Sequence, residues 1–168
     1  MAVAERLERV EIPGVVVPVE NLHLTFRFVG DIDPVSFDRL LAALSESTLP
    51  APFRIQLGGL GAFPKARRAS VLWLDLFDPA GGLGEIHAAV EDSCEEAGLG
   101  REDRPFRPHV TLSRIRPPVD VRSLIDSTPA VDLSSAVDEL VVLRSHLGRG
   151  VPRYEPVERF PLAVAGSG

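Results

Sequence analysis

Glu20-Asn21-Leu22-His23-Leu24-Thr25-Phe26-Arg27-Phe28 and Phe106-Arg107-Pro108-His109-Val110-Thr111-Leu112-Ser113-Arg114 carry one tetrapeptide pattern, His-apolar-Thr-apolar, in two distant parts of the chain. The pattern takes up two of the four histidines. In an extended strand residues i and i+2 share a face. Each motif therefore sets an imidazole beside a hydroxyl, above apolar residues that can anchor in a core. Around the first motif Leu22, Leu24, Phe26 and Phe28 fall on one side and His23, Thr25 and Arg27 on the other. Around the second, Val110 and Leu112 oppose His109, Thr111 and Ser113. Both read as half-buried strands.

From the first motif toward the C-terminus, Asp33-Pro34 reads as an N-cap followed by proline at the first helical position. Phe37, Leu40, Leu41 and Leu44 then follow at helical spacing. Phe53 to Leu60 and Ala69 to Phe77 read as strands around a loop of Gly, Pro and basic residues. Gly81, Gly82 and Gly84 lead into a helix capped by Gly98. On the N-terminal side, Val15 to Gly30 reads as strand interrupted by the turn Pro18 to Asn21. After the second motif Pro117-Pro118 is expected to end the strand. Val119 to Ser127 reads as a short helix, Val137 to Leu147 and Tyr154 to Val164 as strands, and Gly166-Ser167-Gly168 as a frayed end. Strand, helix, strand, strand thus occurs twice, each time led by a His-x-Thr motif. Two similar lobes about a pseudo-twofold axis are expected, with the motif strands facing one central cleft. Residues 1–168 read as a single domain.

The chain has 168 residues, 45% apolar and 25% charged, which suits one globular domain with a real core. A lone Cys94 leaves no internal disulfide and, with no signal-peptide pattern and no long apolar run, predicts a cytoplasmic protein outside the membrane. The net charge of −6 argues against holding long nucleic acid by spread phosphate contacts. Basic residues nevertheless cluster locally: Lys65, Arg67 and Arg68; Arg101, Arg104, Arg107, Arg114 and Arg116; Arg144, Arg149 and Arg153. Singly such residues are ordinary solvated charge, but arginines beside a His motif suit a small phosphorylated ligand.

Two imidazoles and two hydroxyls fit phosphodiester cleavage. One neutral imidazole can deprotonate the attacking water, one protonated imidazole can protonate the leaving oxygen, and the hydroxyls can donate to the non-bridging oxygens. Neither motif holds further ligands at metal spacing, so no metal and no cofactor are expected. Water attack without a metal favours a strained substrate such as a 2′,3′-cyclic phosphate. Cys94, on a helix far in sequence from both motifs, is not a candidate nucleophile. His87 reads as a packing or solvent-facing residue and His146 as structural. Trp73, Leu74, Phe26 and Phe28 read as core.

These blocks resemble the 2H phosphoesterases, and within them the RNA 2′,3′-cyclic phosphodiesterases, also called 2′-5′ RNA ligases. The likeness covers most of the chain. It runs from Glu20 through Gly30, through Gly61-Ala62-Phe63-Pro64 and Val71-Leu72-Trp73-Leu74, through Phe106 to Arg114, and on to Leu143-Arg144-Ser145-His146-Leu147 with Tyr154 beyond. It implies an α+β, bilobal, pseudo-twofold fold with two antiparallel-rich sheets around a central cleft and helices outside. It also implies hydrolysis of RNA 2′,3′-cyclic phosphate ends to 2′-phosphates, with reversible 2′-5′ joining as a further possibility. Carried over by position, His23 and His109 form the catalytic pair and Thr25 and Thr111 bind the phosphate. His109 is assigned as base and His23 as acid, an assignment the motifs do not distinguish from its reverse.

Arg114 joins the phosphate-binding set only if a bulge or strand end turns it onto the His109 face. The resemblance departs at the start, where few residues precede Val15. Either the start is truncated or another segment fills that place in the sheet, and an unfilled slot leaves an open edge that could dimerise an otherwise monomeric chain. Two competing readings remain: a phosphodiesterase for small cyclic nucleotides or an ADP-ribose cyclic phosphate, and a non-catalytic module that holds RNA ends.

Overall fold

The computed structural model describes residues 11–130, 133–146 and 152–162. Its strands are β1 (Val15–Val16), β2 (Phe53–Phe63), β3 (Ala69–Phe77), β4 (His109–Val119), β5 (Leu133–Val137), β6 (Glu139–His146) and β7 (Arg153–Pro161). Its helices are α1 (Pro34–Glu46), α2 (Gly82–Glu96) and α3 (Arg122–Ser127), with 3-10 turns at Val19–Asn21 and Ala66–Arg68. The strands form a five-stranded antiparallel sheet in the order β1-β4-β3-β2-β5 and a separate β6-β7 ribbon.

Local chemistry explains the helix ends. The Asp33 carboxylate accepts from the Val35 and Ser36 amides at 3.0 and 3.1 Å, and Pro34 opens α1. At the end of α2, Gly98 takes a left-handed φ of 82°, its amide reaches the Glu95 carbonyl, and the Leu99 amide reaches Cys94. Those two bonds make a Schellman stop.

Two cores follow from this arrangement. Leu40, Leu44, Ile86 and Val90 of α1 and α2 bury themselves with Leu140 and Leu162 around the ribbon. Leu60, Leu72, Leu74, Leu112 and Ile115 of the large sheet pack against Val121, the N-cap of α3, and Leu124 within it. A third cluster, Ile55, Leu76 and Leu83 with Leu24, Phe26, Phe106 and Val110, joins the two. Each fully buried leucine contributes about 1.5–3 kcal/mol of transfer free energy.

The fold is α+β, antiparallel and two-lobed, as expected, but the lobes are not consecutive halves of the chain. Strand β3, from the first half, pairs with the second motif strand and carries β2 on its other edge, while helices α1 and α2 cover the C-terminal ribbon. Four further expectations are corrected. The first motif is not a continuous strand, because after β1 the chain makes the 3-10 turn and returns to β4 through one bridge, Leu24 to Val110. Phe28, beyond that bridge, is 74% exposed rather than core. Strand β4 runs through Pro117-Pro118 to Val119, since β1 pairs with it only as far as Arg114 and leaves the prolines without a donor to supply on that side. The expected strand from Val137 to Leu147 divides at Asp138, where the chain passes from the large sheet to the ribbon. Leu147, Arg149, Ala163 to Val164 and the terminal Gly166-Ser167-Gly168 lie outside the described residues.

Candidate active site

The Leu24–Val110 bridge is antiparallel, so His23 lies across from Thr111 and Thr25 across from His109. The two imidazoles are therefore diagonal neighbours on one face, whose residues lie about 7–8 Å apart, with Cβ atoms somewhat closer. A phosphate fits between two rings so placed.

Each ring is held the same way. His23 Nδ1 lies 2.7 Å from the Asn21 carbonyl oxygen, and His109 Nδ1 lies 2.6 Å from that of Arg107. A carbonyl only accepts, so both Nδ1 atoms carry hydrogen and donate. This leaves each Nε2 to take or give a proton on the cleft side. In both motifs the accepting carbonyl belongs to the residue two positions before the histidine, so the two-residue period of an extended chain produces the same clamp twice.

Cross-strand register fills in the rest of the face. Asp75 pairs with His109, Trp73 with Thr111, Gly61 with Trp73, and Phe63 with Val71. Arg114 pairs with Val71, which places it on this face too, although regular alternation from His109 would put it on the other. The cause is a bulge: Trp73 opposes Thr111 while Leu72 opposes Ser113, so Leu112 is the extra residue. Leu112 and Ser113 are both turned inward, at 2% and 0% exposure, and Arg114 emerges beside His109 and Thr111. Arg114, Thr25 and Asp75 are exposed; His23, His109, Thr111 and Trp73 are half-buried.

The structure thus brings His23, Thr25, His109, Thr111 and Arg114 to one surface. It adds residues that alternation alone assigned elsewhere. Trp73 is not simply core, since its ring centroid lies 5.7 Å from that of His109 and 5.2 Å from that of Phe63, and Phe63 meets His109 edge-on at 5.2 Å. Tyr154, from the ribbon, meets His23 edge-on at 4.5 Å. The Asn21 side-chain amide donates to the Pro152 carbonyl at 3.2 Å, tying the His23 loop to the same ribbon. The sequence signal for Trp73 was its place two residues from Val71 and Asp75 on the polar face of an alternating strand. For Tyr154 no local signal existed.

Other candidates lie away from the cleft. Arg27 turns from the His23 face into a pair with Glu91, its Nη1 donating to both carboxylate oxygens at 2.8 and 3.0 Å. Glu91, 4% exposed, also accepts from the Glu102 amide at 2.8 Å. The pair therefore ties the first motif to the segment that leads into the second. His87 stacks on Phe106 at 4.3 Å, a packing role. His146 is exposed and lies 2.7 Å from Glu155. Cys94 is 1% exposed within the α1–α2 core, and burial pushes its thiol up. Among the described residues no cluster of three or more His, Cys, Asp or Glu could hold a metal, and no helix is long and apolar enough to cross a membrane.

A bilobal antiparallel fold whose one cleft face presents two matched His-Thr pairs defines the class of the two-histidine phosphoesterases. Comparison specifies the family. The model of the 2′-5′ RNA ligase superfamily matches residues 4–149, and the chain belongs to that superfamily. An RNA 2′,3′-cyclic phosphodiesterase of Aeropyrum pernix is 33% identical over 163 residues, covering 92% of this chain and 90% of the relative. One of Geobacillus stearothermophilus is 31% identical over 89% of this chain, which spans 48% of that relative's length. The crystal structure of Escherichia coli LigT complexed with 3′-AMP superposes with a TM-score of 0.77 at 27% identity, covering 96% of this chain and 88% of that one. A crystal structure from Thermus thermophilus gives a TM-score of 0.78 at 28% identity, covering 98% of this chain and 91% of that one.

Proposed function

We propose that this protein hydrolyses the 2′,3′-cyclic phosphate ends of RNA to 2′-phosphates in the cytoplasm, using His23, His109, Thr25, Thr111 and Arg114 and no metal. The observation that carries the reading is the bridge between Leu24 and Val110, which sets two equally clamped imidazoles diagonally across one face. Relatives named RNA 2′,3′-cyclic phosphodiesterase at about 30% identity over most of the chain support the substrate class.

His109 Nε2 takes a proton from water as the water oxygen bonds to phosphorus. The bond from phosphorus to O3′ breaks, and His23 Nε2 gives its proton to that oxygen. The product carries a 2′-phosphate and a free 3′-hydroxyl. Thr25 and Thr111 donate to the non-bridging oxygens, and Arg114 adds positive charge as charge builds there. With the 5′-hydroxyl of a second RNA replacing water, the same steps join the ends through a 2′-5′ linkage. Each imidazole supplies roughly 10²- to 10⁴-fold.

The test is turnover of an oligonucleotide 2′,3′-cyclic phosphate with and without EDTA, with the phosphate position identified in the product. His23→Ala and His109→Ala should each lose about 10²-fold or more with unchanged melting temperature, and EDTA should change nothing. Full activity in either variant, or a 3′-phosphate product, overturns the mechanism. Tight binding of a 2′-phosphate end without turnover by the wild type would instead make this a binding module.

A further inference from the structure

The cleft has two ends of opposite charge. Register orders its face in rows across the strands: Asp75 with His109, then Trp73 with Thr111, then Phe63 and Val71 with Arg114. In the first row stands the Asp75 carboxylate, which accepts one hydrogen bond, from the amide of its neighbour Leu76 at 3.0 Å. Past the last row the charge is positive. Ile115, 2% exposed, points inward and leaves Arg116 on the same side as Arg114. The chain leaving Phe63 enters the 3-10 turn Ala66–Arg68, where Ala66 packs on the sheet core and Arg67 and Arg68 turn outward next to Lys65.

The lack of an ion pair together with clustering at one end of the cleft sets these cations apart, because Arg39, Arg54, Arg107, Arg144 and Arg153 are also without a carboxylate but do not join that cluster. Among the described residues Arg27, Arg101, Arg104, Arg122 and Arg159 each hold a carboxylate. Lys65, Arg67, Arg68, Arg114 and Arg116 hold none within 4.0 Å, and all five are exposed. Asp120 lies within electrostatic range of Arg67, but Arg122 already donates to both its oxygens, at 2.7 to 3.1 Å. In a chain of net charge −6, a group of uncommitted cations at one end of the cleft calls for an anionic partner.

We infer that Lys65, Arg67, Arg68 and Arg116 form a track for the backbone of single-stranded RNA, which leaves the phosphate centre over Phe63 and away from Asp75. The inference rests on the proposed reaction and adds the length and direction of its substrate. A polyanion departing over Asp75 meets like charge beside a single exposed cation, Arg107. One departing over Arg114 meets four further cations after an aromatic ring on which a base can stack, the combination that single-strand binding uses. The ribbon offers the competing exit, past Arg144 and Arg153. There the hydrogen bond from His146 to Glu155, and after it the charges of His146, Arg144 and Arg153, hold the Glu155 carboxyl low, so that exit already carries an anion.

The experiment compares a nucleoside 2′,3′-cyclic phosphate with a pentanucleotide ending in the same group, over 50 to 200 mM salt. The triple variant K65S/R67S/R68S should keep kcat and KM for the mononucleotide within twofold of wild type, which also shows that it folds. For the pentanucleotide its KM should rise roughly tenfold, and the slope of log kcat/KM against log salt should flatten by about 2, as expected for three lost phosphate contacts on a single strand. An unchanged ratio of the two substrates in this variant overturns the track. So does a loss of the length dependence in R144S/R153S instead. Anisotropy of a labelled pentanucleotide ending in a 2′-phosphate measures the same slope without turnover, so the track is tested even if the proposed reaction fails.

Discussion

Replacing Gly61 with alanine puts a methyl group 2.2 Å from Cζ2, 2.4 Å from Cη2 and 2.5 Å from Cε2 of Trp73. Ordinary contact begins near 3.4 Å, so the indole must retreat by about 1.2 Å. Its way back is the backbone of β2 itself. The strand beneath it is fixed by Leu72 and Leu74, at 0% and 1% exposure. The ring can therefore move across the face toward Thr111 and His109, or outward from the half-buried cleft face, and either movement changes its contact with His109. Overpacking of this kind costs about 1–3 kcal/mol, which lowers the melting temperature of a chain this size by roughly 2–12 °C. The larger effect falls on the reaction, because displacing a catalytic group by about 1 Å costs up to about 10²-fold. Gly61→Ala should lower kcat for a 2′,3′-cyclic mononucleotide about 10- to 100-fold while KM moves less than threefold. Adding Trp73→Leu removes all three clashing atoms and should restore the melting temperature of the single variant, a coupling that a double-mutant cycle reads directly. Wild-type kcat in Gly61→Ala would refute the reasoning, because it would mean that the indole does not fix His109.

Glu91→Gln leaves the Arg27 guanidinium buried without its counter-charge and should cost about 3–5 kcal/mol, read as the midpoint shift in urea unfolding; the paired change Arg27→Met with Glu91→Leu should recover most of it. A loss below 1 kcal/mol in Glu91→Gln would show that the Glu91 charge contributes little here. On the surface, Arg122 beside Asp120 holds its carboxyl at about 2, below the ordinary 3.8. A lowered carboxyl stabilises the folded state above the ordinary value and loses that effect as pH falls through the folded one. Asp120→Asn should therefore flatten the stability-against-pH curve between about pH 4 and 2 and leave it parallel to wild type above pH 5.

Much of this architecture is written in local chemistry. Asp33-Pro34 opens a helix and Gly98 closes one because the cap geometry needs only neighbouring residues. The pairing of imidazole and hydroxyl on each motif follows from the two-residue period of an extended chain. The features that were not legible are non-local. Nothing in Leu112 marks it as a bulge, since the extra residue exists only relative to β3, yet it decides on which face Arg114 stands. Phe28 carries the period of Leu24 and Phe26, but the chain has left β4 by then and no partner remains to bury it. The division of the Val137–Leu147 segment at Asp138 depends on β2 claiming one part and β7 the other. Trp73 entered the site because Gly61, on a different strand, leaves room for its ring.

The two histidines share one clamp but not one support, and this asymmetry can be measured. His109 leans on Phe63 and Trp73, both on the strands of its own sheet. His23 leans on Tyr154, and the loop that clamps its Nδ1 is tied by Asn21 to Pro152, so its placement depends on contact between the sheet and the ribbon. Removing the Tyr154 ring takes away an aromatic contact of about 0.5–1.5 kcal/mol and leaves the large sheet untouched. Tyr154→Ala should therefore shift the His23 ring resonances in a nitrogen-proton correlation spectrum and leave those of His109 in place, with kcat reduced and the melting temperature within a few degrees of wild type. Asn21→Ala removes the second tie and should act on the same resonances, less than additively with Tyr154→Ala because both losses free one loop. Equal shifts at both histidines would mean that the two rings respond as one rigid unit, and the separate support inferred for His23 would be wrong.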